Sequence, residues 1–369
     1  MIKKYRILWI ISIAFSSLLL LMTAHIIYKF ANSYHPDPAQ ITSNEQLTDE
    51  LNKGWFASGK GADTILIPTG IFVNSVYFLS PYNVHISGYV WQKYDHTSMH
   101  LEEKMIEFPE GVNVEIKESY RGFEDGILTL GWHFEGEFIQ NFDYFDFPMD
   151  NKVAWVRIWH STFDNVILTP DLASYDSTKA GDKFGIDPEI VLSGYSLLET
   201  FFSLKNSSYD TNFGVKNFIG QKNFPELYFN IVLRRDVINS AIIYFLPLVT
   251  AIALMFFGIL LITTRPDHLS FLGYSLINLL SLAAFLLFIV VLSHIQLRTQ
   301  VTSKSIIYLE YIYIIVYLAI IYGIGVAFII DHASQLGLKK IYANDGFWAK
   351  VTFLPLVTGA FFLATYLSF

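Results

Sequence analysis

Five stretches of apolar residues, each close to or beyond the length that crosses a bilayer, constrain this chain more than any other feature. They cover Ile7 to about Tyr28, Ala241 to Thr263, Leu269 to Ser293, Ile306 to Ile330 and Trp348 to Phe369. A helix needs ~20 such residues to traverse ~30 Å of hydrocarbon, where every backbone polar group must find its partner inside the protein. The spans leave one long interval, residues 31–236, whose texture is different: apolar and polar positions alternate and are broken by Gly, Pro and Asn. Hydrophobic residues make up 53% and charged residues 16% of the 369, and the mean hydropathy is +0.39. That balance is too apolar for a soluble protein of this length and fits partial burial in lipid.

Charge is divided unevenly between the two textures. Residues 31–236 hold 29 acidic and 15 basic residues, while the rest of the chain is net basic. An acidic outer domain concentrates cations and argues against nucleic-acid partners, although acidity also serves simply to keep an exported domain soluble. Lys3, Lys4 and Arg6 precede the first span and place the N-terminus in the cytoplasm by the positive-inside rule. Residues 31–236 are then periplasmic or extracellular, and the loops with Arg265 and Lys339-Lys340 are cytoplasmic; Arg298 and Lys304 conflict with this rule. The first span is read as a retained anchor (1–30), because its apolar run exceeds the 7–15 residues usual in a secretion signal. A cleaved signal is the alternative. The chain has no cysteine, so neither disulfides nor thiolate metal sites are available.

Within the interval, residues 31–64 read as a linker with one short helix over Asn44–Lys53. Thr69–Leu79 reads as a strand, Ser80–Asn83 as a turn and Val84–Tyr94 as the hairpin partner. Further strands are expected over Gly126–His133, Glu137–Phe142, Val153–Trp159, Tyr195–Leu204 and Glu226–Arg234. Short strands at this spacing predict a β-sandwich or barrel over 65–236, followed by a transmembrane bundle of four helices over 237–369.

Several segments, in the right order, resemble the pentameric ligand-gated ion channels of the prokaryotic, cysteine-less type. Phe145-Asp146-Phe147-Pro148-Met149-Asp150 looks like the hinge turn between receptor and pore in that family, and Gly136–Asp150 like the strand leading into it. Gly70–Val76 with His85–Tyr94 is similar to the first hairpin, and Leu227–Arg235 to the last strand before the membrane. Pro247 lies where the first pore-domain helix carries a proline, and Tyr308-Leu309-Glu310-Tyr311 resembles the start of the third. The resemblance spans roughly residues 65–369. It implies a homopentamer in a bacterial inner membrane that binds a small molecule or ion between subunits and opens a path for ions.

The resemblance also assigns residues. Trp91 falls where a ligand-site aromatic is expected; Tyr209, Phe213, Phe218 and Phe224 lie on a loop that corresponds to the capping loop, and Trp159 falls near another ligand-site tryptophan. Such aromatics can hold a cation by cation–π attraction, and they can equally be sandwich packing. Phe147, Pro148 and Asp150 of the turn, with Arg234, Arg235 and the loop Gln296–Lys304, would couple receptor to pore. Proline makes the turn rigid, and Asp150 could pair with Arg234 or Arg235. The pore helix would be the third span. Helical spacing puts Ser270, Tyr274, Ile277, Ser281 and Ala284 on one face, or Gly273, Ile277, Leu280, Ala284 and Leu287 in a shifted register. Ile277 belongs to both faces and is the expected hydrophobic gate. Asp267 would sit at the cytoplasmic entrance, where cation channels of the family hold acidic rings, with His268 beside it.

Other signals carry less. His96 and His100 are four apart outside any clear helix, and the carboxylate pairs Glu102/Glu103 and Glu124/Asp125 have no partner nucleophile or cleft. Gly323-Ile324-Gly325 inside a span reads as helix packing. No catalytic constellation or cofactor motif emerges. The expectation is a cation-favouring ligand-gated channel rather than an enzyme. A non-conducting receptor that signals through partner proteins is the alternative, favoured by the apolar third span and the extra anchor.

Overall fold

The computed structural model describes residues 2–56, 64–101, 106–161, 166–214, 223–263, 275–301, 305–332, 335–338, 341 and 344–369. The chain forms two compact units: a helical one (1–34, 143–150 and 236–369) and a β unit (35–142 and 151–235).

The helical unit holds the five helices that are long and apolar enough to cross a membrane: α1 (Ile2–Ala31), α3 (Val237–Leu261), α4 (Leu276–Gln300), α5 (Tyr308–Asp331) and α6 (Phe347–Ser368). The protein is therefore a multi-pass membrane protein, with a β domain flanked in sequence by spanning helices. Local chemistry sets the helix starts. The Asp236 carboxylate accepts from Ile238 N at 3.0 Å to start α3, and Ser275 Oγ accepts from Asn278 N at 3.4 Å to start α4. Such side chains satisfy N–H groups that the helix itself leaves without acceptors.

The cap at Ser275 corrects the third span. The described helix runs from Leu276 to Gln300, about two turns beyond the expected Leu269–Ser293. Most of the expected coupling loop Gln296–Lys304 is accordingly helix. Arg298, the charge that conflicted with the positive-inside rule, is neutralised by Glu310 of α5, with Nη2 2.7 Å from Oε2.

α1 packs as a bundle member against α6. Ser12 Oγ donates to Val351 O at 2.6 Å. Tyr5 meets Phe347 at one end, with ring centroids 4.4 Å apart, and Phe30 meets Phe369 at the other at 4.2 Å. Gly323 of α5 lets Met255 of α3 come close, because a Cβ there would stand 2.3 Å from Met255 Cε. Nothing lies within 4 Å of the corresponding position on Gly325. One of the two glycines thus serves packing.

The β unit is a sandwich of two sheets. β1 (Ile65–Phe78), β2 (Asn83–Tyr94), β4 (Gly111–Glu124), β5 (Ile127–Ile139) and β7 (Val166–Pro170) make one sheet, in the order β4-β5-β2-β1-β7. β3 (Ile106–Glu107), β6 (Asn151–His160), β8 (Tyr195–Ser207) and β9 (Phe224–Arg235) make the other, ordered β3-β6-β9-β8. Alternation on β2 is complete: Val84, Ile86, Gly88, Val90, Gln92 and Tyr94 are buried and the residues between them are half-buried. That period of two is what placed the first hairpin in the sequence.

Three expectations for this unit are corrected. Gly126–His133 and Glu137–Phe142 are not two strands; β5 runs unbroken from Ile127 to Ile139 across the glutamates and Gly136 that suggested a break. β4 was not anticipated, because an edge strand bearing Glu115, Lys117, Glu118, Arg121 and Glu124 shows water a face that reads as loop. Residues 31–64 are not a linker throughout. Ile41 N donates to Phe202 O at 2.9 Å, and α2 (Asn44–Lys53) buries Leu51 against Ile167 together with the adjoining Trp55. The helix itself is where the sequence placed it.

Candidate functional site

The aromatic residues expected at a ligand site divide into two places. Tyr209, Phe213, Phe224 and Trp159 come together on the β unit. Tyr209 and Phe213 lie 5.9 and 6.4 Å from Trp159 between ring centroids, and 5.3 Å from each other. With Ile158, Val166, Leu168 and Leu227 they line a cavity of about 20 Å³, space for about one water molecule. Phe218 lies outside the described residues.

Trp91 is elsewhere, on the five-stranded sheet. Its Nε1 donates to Asp171 Oδ2 at 2.8 Å, and its ring lies over Gly70, where a Cβ would come within 2.2 Å of it. Lys93 Nζ also reaches Asp171, at 2.8 Å. Burial works against the Asp171 charge, but hydrogen bonds from Lys93, Ser174 and Trp91 hold its pKa below the ordinary carboxylate value. Within one chain Trp91 is thus part of a polar cluster that fixes the turn after β7.

The pocket around Trp159 has a feature the sequence did not disclose: a cation of the protein's own. Arg157 faces Tyr228 across the β6–β9 pairing, and its Cζ stands 5.1 Å from the Trp159 ring centroid and 5.9 Å from that of Tyr228. Its Nη1 donates to Glu226 Oε2 at 2.9 Å, and its Nε to Glu110 Oε2 at 3.1 Å. Burial opposes the guanidinium charge, yet Glu226, Tyr228 and Glu110 hold its pKa above the usual value. Glu110 is itself raised by burial in spite of Arg157, and the Tyr228 hydroxyl is pushed up to about 12, mainly by burial.

Glu226 also ties down the loop after β8. Ser207 Oγ donates to its Oε2 at 2.5 Å, and the Tyr209 hydroxyl donates to Oε1. The two signals that could have found this cluster are Arg157 and Glu226, charges set among apolar residues within β6 and β9.

The aromatic-Pro-x-Asp turn lies in the helical unit. Asp143 Oδ1 accepts from Phe145 N at 2.9 Å, and Phe147, Pro148, Met149 and Asp150 are buried. Phe147 packs edge-on against Tyr244 of α3, with centroids 5.3 Å apart. Phe145 O accepts from Tyr308 N, the first residue of α5, at 2.9 Å. Tyr244 in turn donates its hydroxyl to Gln300 at the end of α4. The turn thereby engages α3 and α5 directly and α4 through Tyr244.

Its flanking strands belong to different sheets, β5 before it and β6 after it. Gln140 joins them: its side-chain amide donates to Trp155 O, and its Oε1 accepts from Trp155 N at 3.1 Å. Arg234 pairs in register with Asn151, and the Arg235 guanidinium lies 4.8 Å from the Tyr195 ring centroid in the β unit.

On α4 the described part of the expected pore face is Ile277, Ser281 and Ala284. All three are exposed, Ile277 at 73%, whereas Leu279, Ala283, Leu286, Val290 and Leu297 are buried. Leu280, of the shifted register, is exposed too, so both expected faces avoid the packed side of the helix. Continuing at helical spacing, Phe288, Val291 and Ile295 keep the face of Ile277 apolar up to Arg298. Asp267, His268, Ser270, Gly273 and Tyr274 lie outside the described residues, as do Glu102, Glu103, Arg265, Lys304 and Lys339-Lys340. Among the described residues no group of three or more His, Cys, Asp or Glu is placed to hold a metal ion. No known protein family matches the chain, and no curated protein sequence matches it.

Proposed function

We propose that the chain is a subunit of a ligand-gated ion channel, assembled as a homopentamer, in which the β unit receives a small ligand and the helical unit forms the pore. The observation that carries this reading is the placement of the turn 143–150. It continues a strand of each sheet, yet its own contacts, Phe147 to Tyr244 and Phe145 to Tyr308, are with helices. A rearrangement of the sheets therefore reaches the turn along the chain, and passes from it to α3 and α5 through those contacts and to α4 through the Tyr244–Gln300 hydrogen bond. An element of one unit that continues the strands of the other along the chain is what a two-state switch needs if ligand binding to one is to bias the other.

The ligand region is proposed at the Trp159, Tyr209, Phe213 and Phe224 wall, where the loop latched by Glu226 lies. Arg157 already occupies the aromatic faces of Trp159 and Tyr228, so a cationic ligand has to displace or extend that arrangement. Cation selectivity is the preferred reading, from the acidic β unit and from Asp267. The apolar face of α4 favours a second reading, a receptor of the same build that signals through partners without conducting. Neither reading involves catalysis.

Recording from purified protein in planar bilayers separates the two. Discrete single-channel currents, with reversal potentials that follow the cation gradient in asymmetric salt, are expected. Reversal that follows chloride overturns the selectivity, and silence from folded oligomers across pH and calcium leaves the receptor reading.

A further inference from the structure

An apolar cavity of about 360 Å³ lies in the helical unit where α5 ends and α6 begins. Val326, Ile329, Ile330, Ile341, Phe347 and Trp348 form most of its wall. The volume is more than twice the ~150 Å³ of an engineered cavity that stays dry and binds benzene, and it lies within the range of small-molecule sites. Its existence follows from how α6 begins. Gly346, at φ +62°, starts the helix hard against Ile330, where a Cβ would stand 2.3 Å from Ile330 Cδ1. The helix ends therefore meet at a corner and leave space beside it.

Among the described residues, the charges at this level already have partners. Lys350 Nζ donates to Ile262 O at 2.6 Å and to Asp345 at 3.1 Å, and His332 lies 3.5 Å from Asp331. Of the polar side chains in the wall, Asn344 accepts from the Tyr5 hydroxyl of α1 at 3.1 Å, and the Tyr322 ring stacks 6.1 Å from Phe353. An ionic ligand finds no counter-charge among these groups. An apolar one finds a dry wall, and its mouth is marked by Trp348, 58% exposed at the first turn of a spanning helix. Tryptophan at that position fits the boundary between hydrocarbon and headgroups.

We propose that this cavity is a lipid site, and that it holds one acyl chain of a bilayer phospholipid inserted between the end of α5 and the start of α6. The headgroup stays at the interface beside Trp348. The medium at the mouth of a cavity between spanning helices is acyl chain, present at far higher concentration than any dissolved apolar solute. α1 frames the site through Tyr5, which touches both Asn344 and Phe347. The inference does not depend on whether the protein conducts.

The test is photolabelling of the full chain in vesicles of phosphatidylcholine that carries a diazirine on one acyl chain, read by peptide mass spectrometry. Label is expected on Val326, Ile330 and Phe347 as well as on the exposed α6 positions Leu363 and Leu367. Val326→Phe and Ala349→Leu fill the cavity, and should lower the Ile330 and Phe347 label about ten-fold while leaving Leu363 and Leu367 unchanged. Ala349 is half-buried on the first turn of α6, so its variant serves if Val326→Phe fails to fold. Label confined to Leu363 and Leu367, or cavity label that survives both substitutions in folded protein, overturns the proposal.

Discussion

Glu226 of the β unit and Glu310 of the helical unit are both buried, and each holds an arginine, but they are used differently. Glu226 binds Arg157 beside two aromatic rings and, with its remaining acceptor sites, takes the hydroxyls of Ser207 and Tyr209. Those donors lie at the end of β8 and just beyond it, so the carboxylate ties that chain end to β9. Glu310 binds Arg298, lies 3.2 Å from His294 Nε2, and accepts from Ile307 N at 3.0 Å. Its partners lie on α4 and on its own helix start, so it joins two helices and caps one of them. The same residue type thus closes a site in one unit and fixes a framework in the other. Surroundings set the difference: hydroxyl donors such as Ser207 and Tyr209 can exchange the carboxylate for water, whereas a carboxylate between spanning helices has no cheap substitute for its partners.

That contrast is open to direct attack, and the largest effect is expected at Glu310. Glu310→Ala leaves Arg298 and the Ile307 N–H without their acceptor and should destabilise the protein by about 3–5 kcal/mol, read as a lower thermal unfolding midpoint in detergent. Glu226→Ala should cost less, about 3 kcal/mol, because Arg157 keeps Glu110. Its signature should be local: faster protease cleavage between Ser207 and Asn223 while the rest of the β unit stays resistant. Equal and global effects of the two substitutions would erase the distinction between latch and framework.

Asp171 offers a third test on the β unit. Its folded pKa lies below the ordinary value of 3.8, so its contribution is fully present above that value and is lost as pH falls through the lower folded value. Asp171→Asn should cost about 2 kcal/mol at neutral pH and flatten the decline of the unfolding midpoint below pH about 4. A wild-type midpoint that stays level on acidification would contradict the Trp91–Lys93–Ser174 arrangement. Gln140→Ala should have the smallest effect on stability, about 1 kcal/mol, and should raise amide exchange at Trp155, next to the strands that lead into the turn.

Legibility in the sequence follows the range of the interactions. The spans, the hairpin around Ser80–Asn83 and the helix at Asn44–Lys53 rest on local periodicity and capping, and the structure has them close to where that chemistry puts them. β4 was hidden because an edge strand with charges on its open face carries no apolar alternation. The start of α4 was missed because the apolar run begins before Ser275, and only the cap marks the described helix start. At the aromatic pocket the contributors Trp159, Tyr209, Phe213 and Phe224 were legible as residue types. Arg157 and Glu226 were not, being 69 positions apart and joined only by the β6–β9 pairing. The turn stood out by its Pro and aromatics and Gln300 fell within the expected coupling loop 296–304, whereas Tyr244, inside an apolar span, carries no sequence signal of its own.

The most direct test of the central claim measures open probability in planar bilayers in an Ile277→Ser background, where a hydrophilic gate should open without ligand. Onto it are placed Phe147→Ala, Tyr244→Leu and both together. The account predicts that each single change shifts open probability and that the double change is far from additive, because one contact transmits both effects. Strictly additive shifts, or no shift at all in channels that conduct, would contradict the role assigned to the turn; an absence of current in every variant would contradict the channel itself.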